Sequence, residues 1–442
     1  MTFWLDEVVD EHDSVLTLGE RLGKGGQGEV RRVTSQPGLA VKLVGQRPTR
    51  AFEQVRRLPL SGLPIAAPIT LLRDREGYVM RLADDMGPLK RLVPAQFGDK
   101  HDLGWYAETG GLRRRLRIAA KSAAALARLH GLAMVYVDLN PGNVMVSRDT
   151  ARDEVLLIDA DNIDIVSQVR STLGTYPYFA PERIRGISGP TTLTDAHSLA
   201  VLVFALLSMR YPFHGEQSDD LKEDSEISTH ELLRMTDEGR LPYIDDPMDD
   251  SNRASAGIPR RHVMSHVLRE LAERAFVGGM QNPAARPSVT AWRDALWRAE
   301  ANVVDCVHTG CAWSYYRDQD ACPLCQTERP QIVGVAVRHS EDAPRPSTTC
   351  LLQPGRTLRL EEQHLWGDDP AGDSPLALRL EGKQLTVNWT AGSSVEVVYP
   401  ARQRRPKGRS LSLDLKPSAR VRLRLKPLSG PGRIVDLGWI PT

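Results

Sequence analysis

The sequence predicts an α+β chain in which a strand-rich lobe is followed by a helical lobe and then by a β-rich end. Three observations predict it. From about Thr17 to Met86, short runs such as LTLGERL and EVRRV alternate around glycines, as hairpin strands do. From Leu112, LRRRLRIAAKSAAALARLHGL places Leu116, Ala119, Ala123, Leu126 and Leu129 at helical spacing. Near the carboxy terminus LALRLEGKQLTVNW, SSVEVVY, RSLSLDLK and ARVRLRLK alternate apolar with polar residues, the pattern of antiparallel strands buried on one face.

Composition narrows the function classes. At 442 residues the chain has room for more than one domain, and a net charge of +1 gives no overall field toward nucleic acid or membrane. The most apolar run, Leu199 to Leu207, is far short of the ~20 residues that cross a bilayer, and reads as a buried helix. The start, MTFWLDEVVDEHD, is acidic and lacks a charged-then-apolar leader, which points to the cytoplasm.

Taken in chain order, the first chemical signal is LGKGGQGEV, where Leu22, Gly23, Gly25, Gly28 and Val30 form a glycine-rich turn between two strands. Glycine lets a backbone fold closely over phosphates, and strands on both flanks exclude the dinucleotide-binding turn, which opens directly into a helix. Ala40 and Lys42 follow in AVK, and AFEQVRRL reads as a helix carrying Glu53. Beyond the long alanine-rich helix come YVDLNPGNVMV, LIDADN and GTYPYFAPE, then the LTDAHSLA stretch. The segment from Glu216 to Asp250 holds thirteen Asp and Glu, broken by Pro242 and Pro247, and reads as a solvated loop and helix. QNPAARPSVTAWRDALWRAE ends in an amphipathic helix preceded by Arg286.

In this order and spacing the motifs resemble the eukaryotic-like Ser/Thr protein kinases over about the first 300 residues. The resemblance implies a bilobal protein-kinase fold over 1–300, with an N-lobe at about 14–86 and a C-lobe at about 87–300. A zinc-ribbon-like module over 301–330, a linker over 331–349 and an antiparallel β-sandwich over 350–442 are expected to follow. YVDLNPGN, LIDADN and the LTDAHSLAVLVFALLSMRYPF stretch are similar to a bacterial subgroup found with a von Willebrand factor A protein and a metal-dependent phosphatase in tellurite-resistance-type systems.

The resemblance also implies roles. Asp138 would orient and deprotonate the acceptor hydroxyl, Asn143 and Asp159 would hold Mg2+ or Mn2+, and Lys42 would hold the ATP phosphates. Glu53 is the candidate partner of Lys42, with a surface glutamate as the alternative. Val30 and Ala40 would flank the adenine, with Met80 behind it and the hinge at Leu82 and Ala83. Thr175 would contact Asp138 and select Ser or Thr acceptors, Glu182 and Arg286 would form a buried ion pair, and Asp195 would accept bonds from the catalytic-loop backbone.

Departures from the family pattern bear on regulation. Tyr136-Val137-Asp138 replaces His-Arg-Asp, removing the arginine that pairs with an activation-loop phosphate; Ser171 and Thr172 lie in that loop. Asn140 stands where lysine is usual and donates without charge. Asp159-Ala160-Asp161 replaces Asp-Phe-Gly, which removes the aromatic wedge and the permissive glycine. No catalytic or magnesium-binding position is lost, so an active kinase is favoured over a pseudokinase scaffold, and GTYPYFAPE favours protein over small-molecule acceptors.

CVHTGCAWSYYRDQDACPLC supplies Cys306, Cys311, Cys322 and Cys325, spaced as knuckles for a structural zinc, with His308 as a substitute for Cys306. Free cysteines in an aromatic surface segment are the alternative, and Cys350, with no nearby partner, reads as a small core residue. From Arg402 to Lys426 there are ten Lys and Arg against one Asp. They read as a solvated strand face, or else as a docking face for an acidic or phosphorylated partner.

Overall fold

The computed structural model describes residues 7–25, 28–45, 49–94, 103–165, 174–223, 227–238, 240–254, 257–360, 362–365, 375–399, 408–416, 419–426 and 431–440. The chain divides into two compact units, Met1–Gly110 with Arg114–Asp294, and Gly111–Arg113 with Ala295–Thr442.

The first unit begins with a six-stranded antiparallel sheet in the order β1-β2-β3-β4-β6-β5. Its strands are β1 (Glu7–Val9), β2 (Val15–Gly25), β3 (Gly28–Val33), β4 (Leu39–Leu43), β5 (Thr70–Leu71) and β6 (Gly77–Arg81), with α1 (Thr49–Arg56) between β4 and β5. Alternation sends Val8, Leu16, Leu18, Val33, Val41 and Val79 into one apolar cluster. Phe52 of α1, Tyr78 and Met80 join Ala40 in a second. Gly28 closes the β2–β3 hairpin at φ 144°, and a Cβ there would come within 2.0 Å of the Leu43 carbonyl oxygen, so no other residue fits.

The helical lobe follows. β7 (Met86–Pro88) pairs with β9 (Val144–Ser147), which pairs with β10 (Val155–Leu157); β8 (Met134–Val135) pairs with β11 (Asp164–Ile165). After α2 (Leu103–Glu108), α3 (Gly111–Gly131) buries Leu116, Ala119, Ala123, Leu126 and Leu129 and runs directly into β8. After α4 (Pro181–Ile184), α5 (Thr192–Ser208) is buried at every position from Thr194 onward, as its apolar composition dictates. Thr191 caps it, accepting from Leu193 and Thr194 backbone amides at 3.2 and 3.3 Å. The acidic segment forms two helices, α6 (Glu216–Glu223) and α7 (Thr229–Asp237), where the composition had suggested one. Then come α8 (Arg260–Val263), α9 (His266–Glu273), α10 (Gly279–Gln281) and α11 (Val289–Glu300). No helix among the described residues is long and apolar enough to cross a membrane.

In the second unit, β12 (Val303–Asp305) and β13 (Ser314–Tyr316) form the hairpin that carries the first cysteine pair. A five-stranded sheet, β15-β14-β22-β21-β19, and a four-stranded sheet, β16-β17-β18-β20, share one apolar core. Their strands are β14 (Val333–Arg338), β15 (Thr348–Leu352), β16 (Thr357–Leu360), β17 (Leu376–Glu381), β18 (Gln384–Trp389), β19 (Ser394–Tyr399), β20 (Ser410–Asp414), β21 (Arg420–Lys426) and β22 (Arg433–Trp439), with α12 (Glu362–Leu365) after β16. The expected linker over 331–349 is corrected in its first part: β14 lies there, paired on both sides, with Val333, Val335 and Val337 fully buried. Period-two alternation in VGVAVR drives that strand, so only the proline-bearing residues after it connect. Cys350 faces the same core from β15.

A buried ion pair ties the helical lobe together. The Arg286 guanidinium meets both oxygens of Glu182 at 2.7 Å and also donates to the Gly279 and Leu193 carbonyls. Its side chain is wholly buried, so removing one partner leaves an uncompensated charge. Arg286→Ala is expected to lower the unfolding free energy by about 3–5 kcal/mol, read from the urea midpoint by tryptophan fluorescence. The double variant Glu182→Leu/Arg286→Met should lose less than Arg286→Ala, because no charge is then stranded.

Candidate active site

The loop between β8 and β9 is shaped by a strained residue. Val137 adopts φ 66°, a left-handed conformation that costs a β-branched side chain on the order of 1–3 kcal/mol. Its surroundings hold it there. Asp195, in the first turn of α5, accepts from the backbone amides of Tyr136 at 2.8 Å and Val137 at 3.2 Å, and His130 Nε2 lies 3.0 Å from the same carboxylate. From the other side Arg183 Nη1 donates to the Val137 carbonyl at 2.8 Å, with its guanidinium over the Phe179 ring. Partial burial lowers the Arg183 pKa, opposed by the nearby carboxylates of Asp195 and Asp138.

This clamp sets the next residues. Asn143 Nδ2 donates to the Asp138 carbonyl at 3.0 Å and reaches its carboxylate at 3.3 Å. Asn140 caps the following turn, accepting from the Gly142 amide at 2.8 Å, while its Nδ2 donates to Thr175 Oγ1 at 3.1 Å. Thr175 Oγ1 in turn donates to Asp138 Oδ2 at 3.2 Å. Asp138, Asn140, Asn143 and Thr175 therefore form one hydrogen-bonded group around the Asp138 carboxylate.

Asp159 stands beside it. Ile158 donates its amide to the Asn143 carbonyl at 2.9 Å, and Asp159, at φ 56° and ψ 54°, opens a 3-10 turn over Ala160–Asn162. Tyr136, fully buried, donates its hydroxyl to the Ile158 carbonyl. Burial, with the Asp159 and Asp138 carboxylates close by, pushes that phenol well above its usual range. Tyr136 thus couples the two loops, a role for which its sequence offers no signal beyond replacing a histidine.

Lys42 reaches this turn from β4. Its side chain is 5% exposed, and Nζ lies 2.9 Å from Asp159 Oδ1 and 2.8 Å from Asp161 Oδ1. Here the structure corrects the expected pairing. Among the described residues the ion pairs of Lys42 are with these aspartates and not with Glu53, which is half-buried on α1. Ala40, Met80, Val30 and Leu82 gather in one apolar cluster with Ile158, whereas Leu22 is 41% exposed. Leu82 donates its amide to the Gly38 carbonyl at 2.8 Å, and Ala83 next to it is half-buried. Among the described residues other than its chain neighbours, a Cβ on Gly23 would meet no atom within 4 Å, and Gly25 pairs across the hairpin with Gly28. Ser171 and Thr172 lie outside the described residues.

The second unit holds a separate cluster. Sγ atoms of Cys306, Cys311, Cys322 and Cys325 all lie within 4.8 Å of one another, with Cys306–Cys325 at 3.5 Å and Cys311–Cys322 at 3.8 Å. Thiolates at ~2.3 Å around a tetrahedral zinc are ~3.8 Å apart, so the donor set fits that ion and is too widely spaced for disulfides. His308 is exposed and gives Cys306 only its backbone amide, at 3.4 Å. The Thr327 hydroxyl and amide hold Cys325 below the usual thiol range, whereas burial pushes Cys306 above it.

Residues 111–297 match the family model described as the protein kinase domain, a stretch that begins after the glycine loop and Lys42. The serine/threonine-protein kinase AfsK of Streptomyces coelicolor is 30% identical over 39% of this chain and 24% of its own length. PknB of Mycolicibacterium smegmatis is 27% identical over 45% of this chain and 33% of its own, and the DNA damage-responsive kinase RqkA of Deinococcus radiodurans 28% over 45% and 30%. The chain thus spans a third or less of each of these relatives. From α3 onward, after the six-stranded sheet, the chain is thus similar to the protein kinase domain.

Proposed function

We propose that the chain is an ATP-dependent protein kinase that phosphorylates Ser or Thr on protein substrates. The observation that carries this reading is the Asp138 carboxylate, held by Asn143 and contacted by Thr175, in the domain where Lys42 meets Asp159. Asp138 would accept the proton of the acceptor hydroxyl as its oxygen bonds to the γ-phosphorus and the bond to ADP breaks. Asn140 supports the same site through Thr175, and Lys42 would turn its charge toward the α- and β-phosphates. Asn143 and Asp159 are the residues that would hold Mg2+ or Mn2+, which when bound offsets phosphate charge.

The site assignments over 1–300 other than Glu53, the zinc-ribbon-like module at 301–330 and the β-domain beyond it belong to the same reading, with Cys306, Cys311, Cys322 and Cys325 holding a structural zinc. The motif resemblance suggests a cytoplasmic system with a von Willebrand factor A protein and a metal-dependent phosphatase as partners, to be supplied as candidate substrates.

Lys42→Ala, Asp138→Ala and Asp159→Ala are each expected to reduce phosphate incorporation from labelled ATP by at least about a hundredfold while the protein stays folded by circular dichroism. Wild-type protein that transfers no phosphate to itself, a generic acceptor or either partner would favour a scaffold. For the cysteine site, elemental analysis of protein purified without added metal should find about one zinc per chain, and chelation should open residues 301–330 to protease. Protease resistance of a zinc-free sample would contradict a structural ion. For the acceptor, phosphoserine or phosphothreonine should dominate by mass spectrometry, and Thr175→Ala should cut activity at least about tenfold. Ser171→Ala/Thr172→Ala should stay within a few-fold of wild type, since a loop phosphate needs a cationic partner and Val137 offers none. A large loss from the double variant, or phosphotyrosine as main product, would overturn this assignment.

A further inference from the structure

Asp161 stands where the kinase pattern has glycine, and its side chain is only 1% exposed. Burying a carboxylate without a counter-charge costs several kcal/mol, so the environment of Asp161 requires a cation. Lys42 Nζ, at 2.8 Å, supplies it. Asp159 shares the same ammonium at 2.9 Å but is 27% exposed, open to solvent and to a ligand in a way that Asp161 is not. The backbone explains how both reach one nitrogen. Asp159 sits in the left-handed region, the Asn162 amide returns to the Asp159 carbonyl at 2.9 Å, and the tight Ala160–Asn162 turn carries the two alternate side chains toward β4. Lys42 is buried as well, and its ammonium lies 5.9 Å from the centre of the Tyr78 ring. Glu53 is on α1, half-buried, and takes no part in this arrangement among the described residues.

We propose that Asp161, not Glu53, is the carboxylate that positions Lys42 for the nucleotide phosphates. The proposal deepens the kinase reading and rests on it. In this arrangement one turn provides both Asp159 and the partner of the lysine, so the placement of Lys42 does not depend on where α1 lies. Asp161 is a positioning residue. Its effect on the nucleotide runs through Lys42.

The test is a double-mutant cycle on nucleotide binding in the full-length protein, using a fluorescent ATP analogue with magnesium, with the ATP KM measured in parallel. Asp161→Asn keeps the size and one acceptor oxygen but removes the charge. It is expected to weaken nucleotide binding at least about tenfold, the value of a lost charge-assisted bond. Glu53→Gln should stay within about twofold of wild type, because Glu53 makes no bond to the lysine. In a Lys42→Ala background, adding Asp161→Asn should cost less than about twofold more. Full binding by Asp161→Asn, a loss from Glu53→Gln as large as that from Asp161→Asn, or additive losses in the Lys42→Ala background would each overturn the proposal. If Asp161→Asn does not fold by circular dichroism, Glu53→Gln alone decides, since a tenfold loss there assigns the lysine to α1. The two readings fail separately. Wild-type protein that binds nucleotide with this pattern but transfers no phosphate defeats the kinase reading alone, whereas an active enzyme with equal losses at both carboxylates defeats this one.

Discussion

The Asp195 carboxylate is the constraint on which the loop carrying Asp138 depends. Its oxygens accept the amides of Tyr136 and Val137 and lie against His130, and each hydrogen bond to a charged acceptor contributes about 1.5–3 kcal/mol. That is enough to offset the left-handed backbone of Val137, and without it the loop would relax toward an ordinary turn and carry Asp138 elsewhere. The carboxylate is affordable in the interior because of where it sits. It lies in the first turn of α5, where the unpaired amides of a helix start favour negative charge, and the remaining helix is buried apolar surface that fixes its position. The apolar stretch from Leu199 to Leu207 thus acts on the Asp138 loop at a distance, through the placement of one side chain.

The other buried charges follow the same logic with different consequences. Glu182 and Arg286 satisfy each other in bidentate geometry, and the remaining guanidinium donors go to the Gly279 and Leu193 carbonyls, so the pair is closed. Lys42 is not closed in this sense. One ammonium meets two carboxylates, of which Asp161 is buried and Asp159 is partly open to solvent.

What could be read from the sequence was whatever is encoded contiguously. The glycine turn between strands, the α3 periodicity and the cysteine spacing all declare themselves within a few residues, because backbone conformation and ligand knuckles are local. Partner choice is not local. Glu53 was the natural candidate because it lies on the helix after Lys42, yet the lysine meets Asp161, which is 119 residues away in sequence. Asp161 had been weighed only by the glycine it replaced, whereas the informative fact was an added carboxylate two residues after Asp159. Tyr136 and Arg183 were missed for the same reason, since their bonds to the Ile158 and Val137 carbonyls join segments that only the fold brings together. β14 was the exception. Its alternation was present in VGVAVR, but the proline-rich residues after it dominated the reading of that stretch.

The basic run near the carboxy terminus shows how composition and structure diverge over charge. Val421, Leu423 and Leu425 point into the core, so the arginines between them must face outward. Outward does not mean unpaired. Arg422 bonds to Asp436 of β22, and Arg424 to Glu396 of β19 and to Glu341, so acids on neighbouring strands neutralise the middle of the face. Cross-strand pairs of this kind contribute about 0.2–1 kcal/mol each to the sheet, and they leave exposed positive charge at Arg420 and Lys426, the two ends of β21. At the middle of β21, charges that are alike in sequence therefore meet opposite charges in space. Arg422 and Arg424 hold β21 to its neighbours, which weakens the case for a strongly basic docking face along that strand.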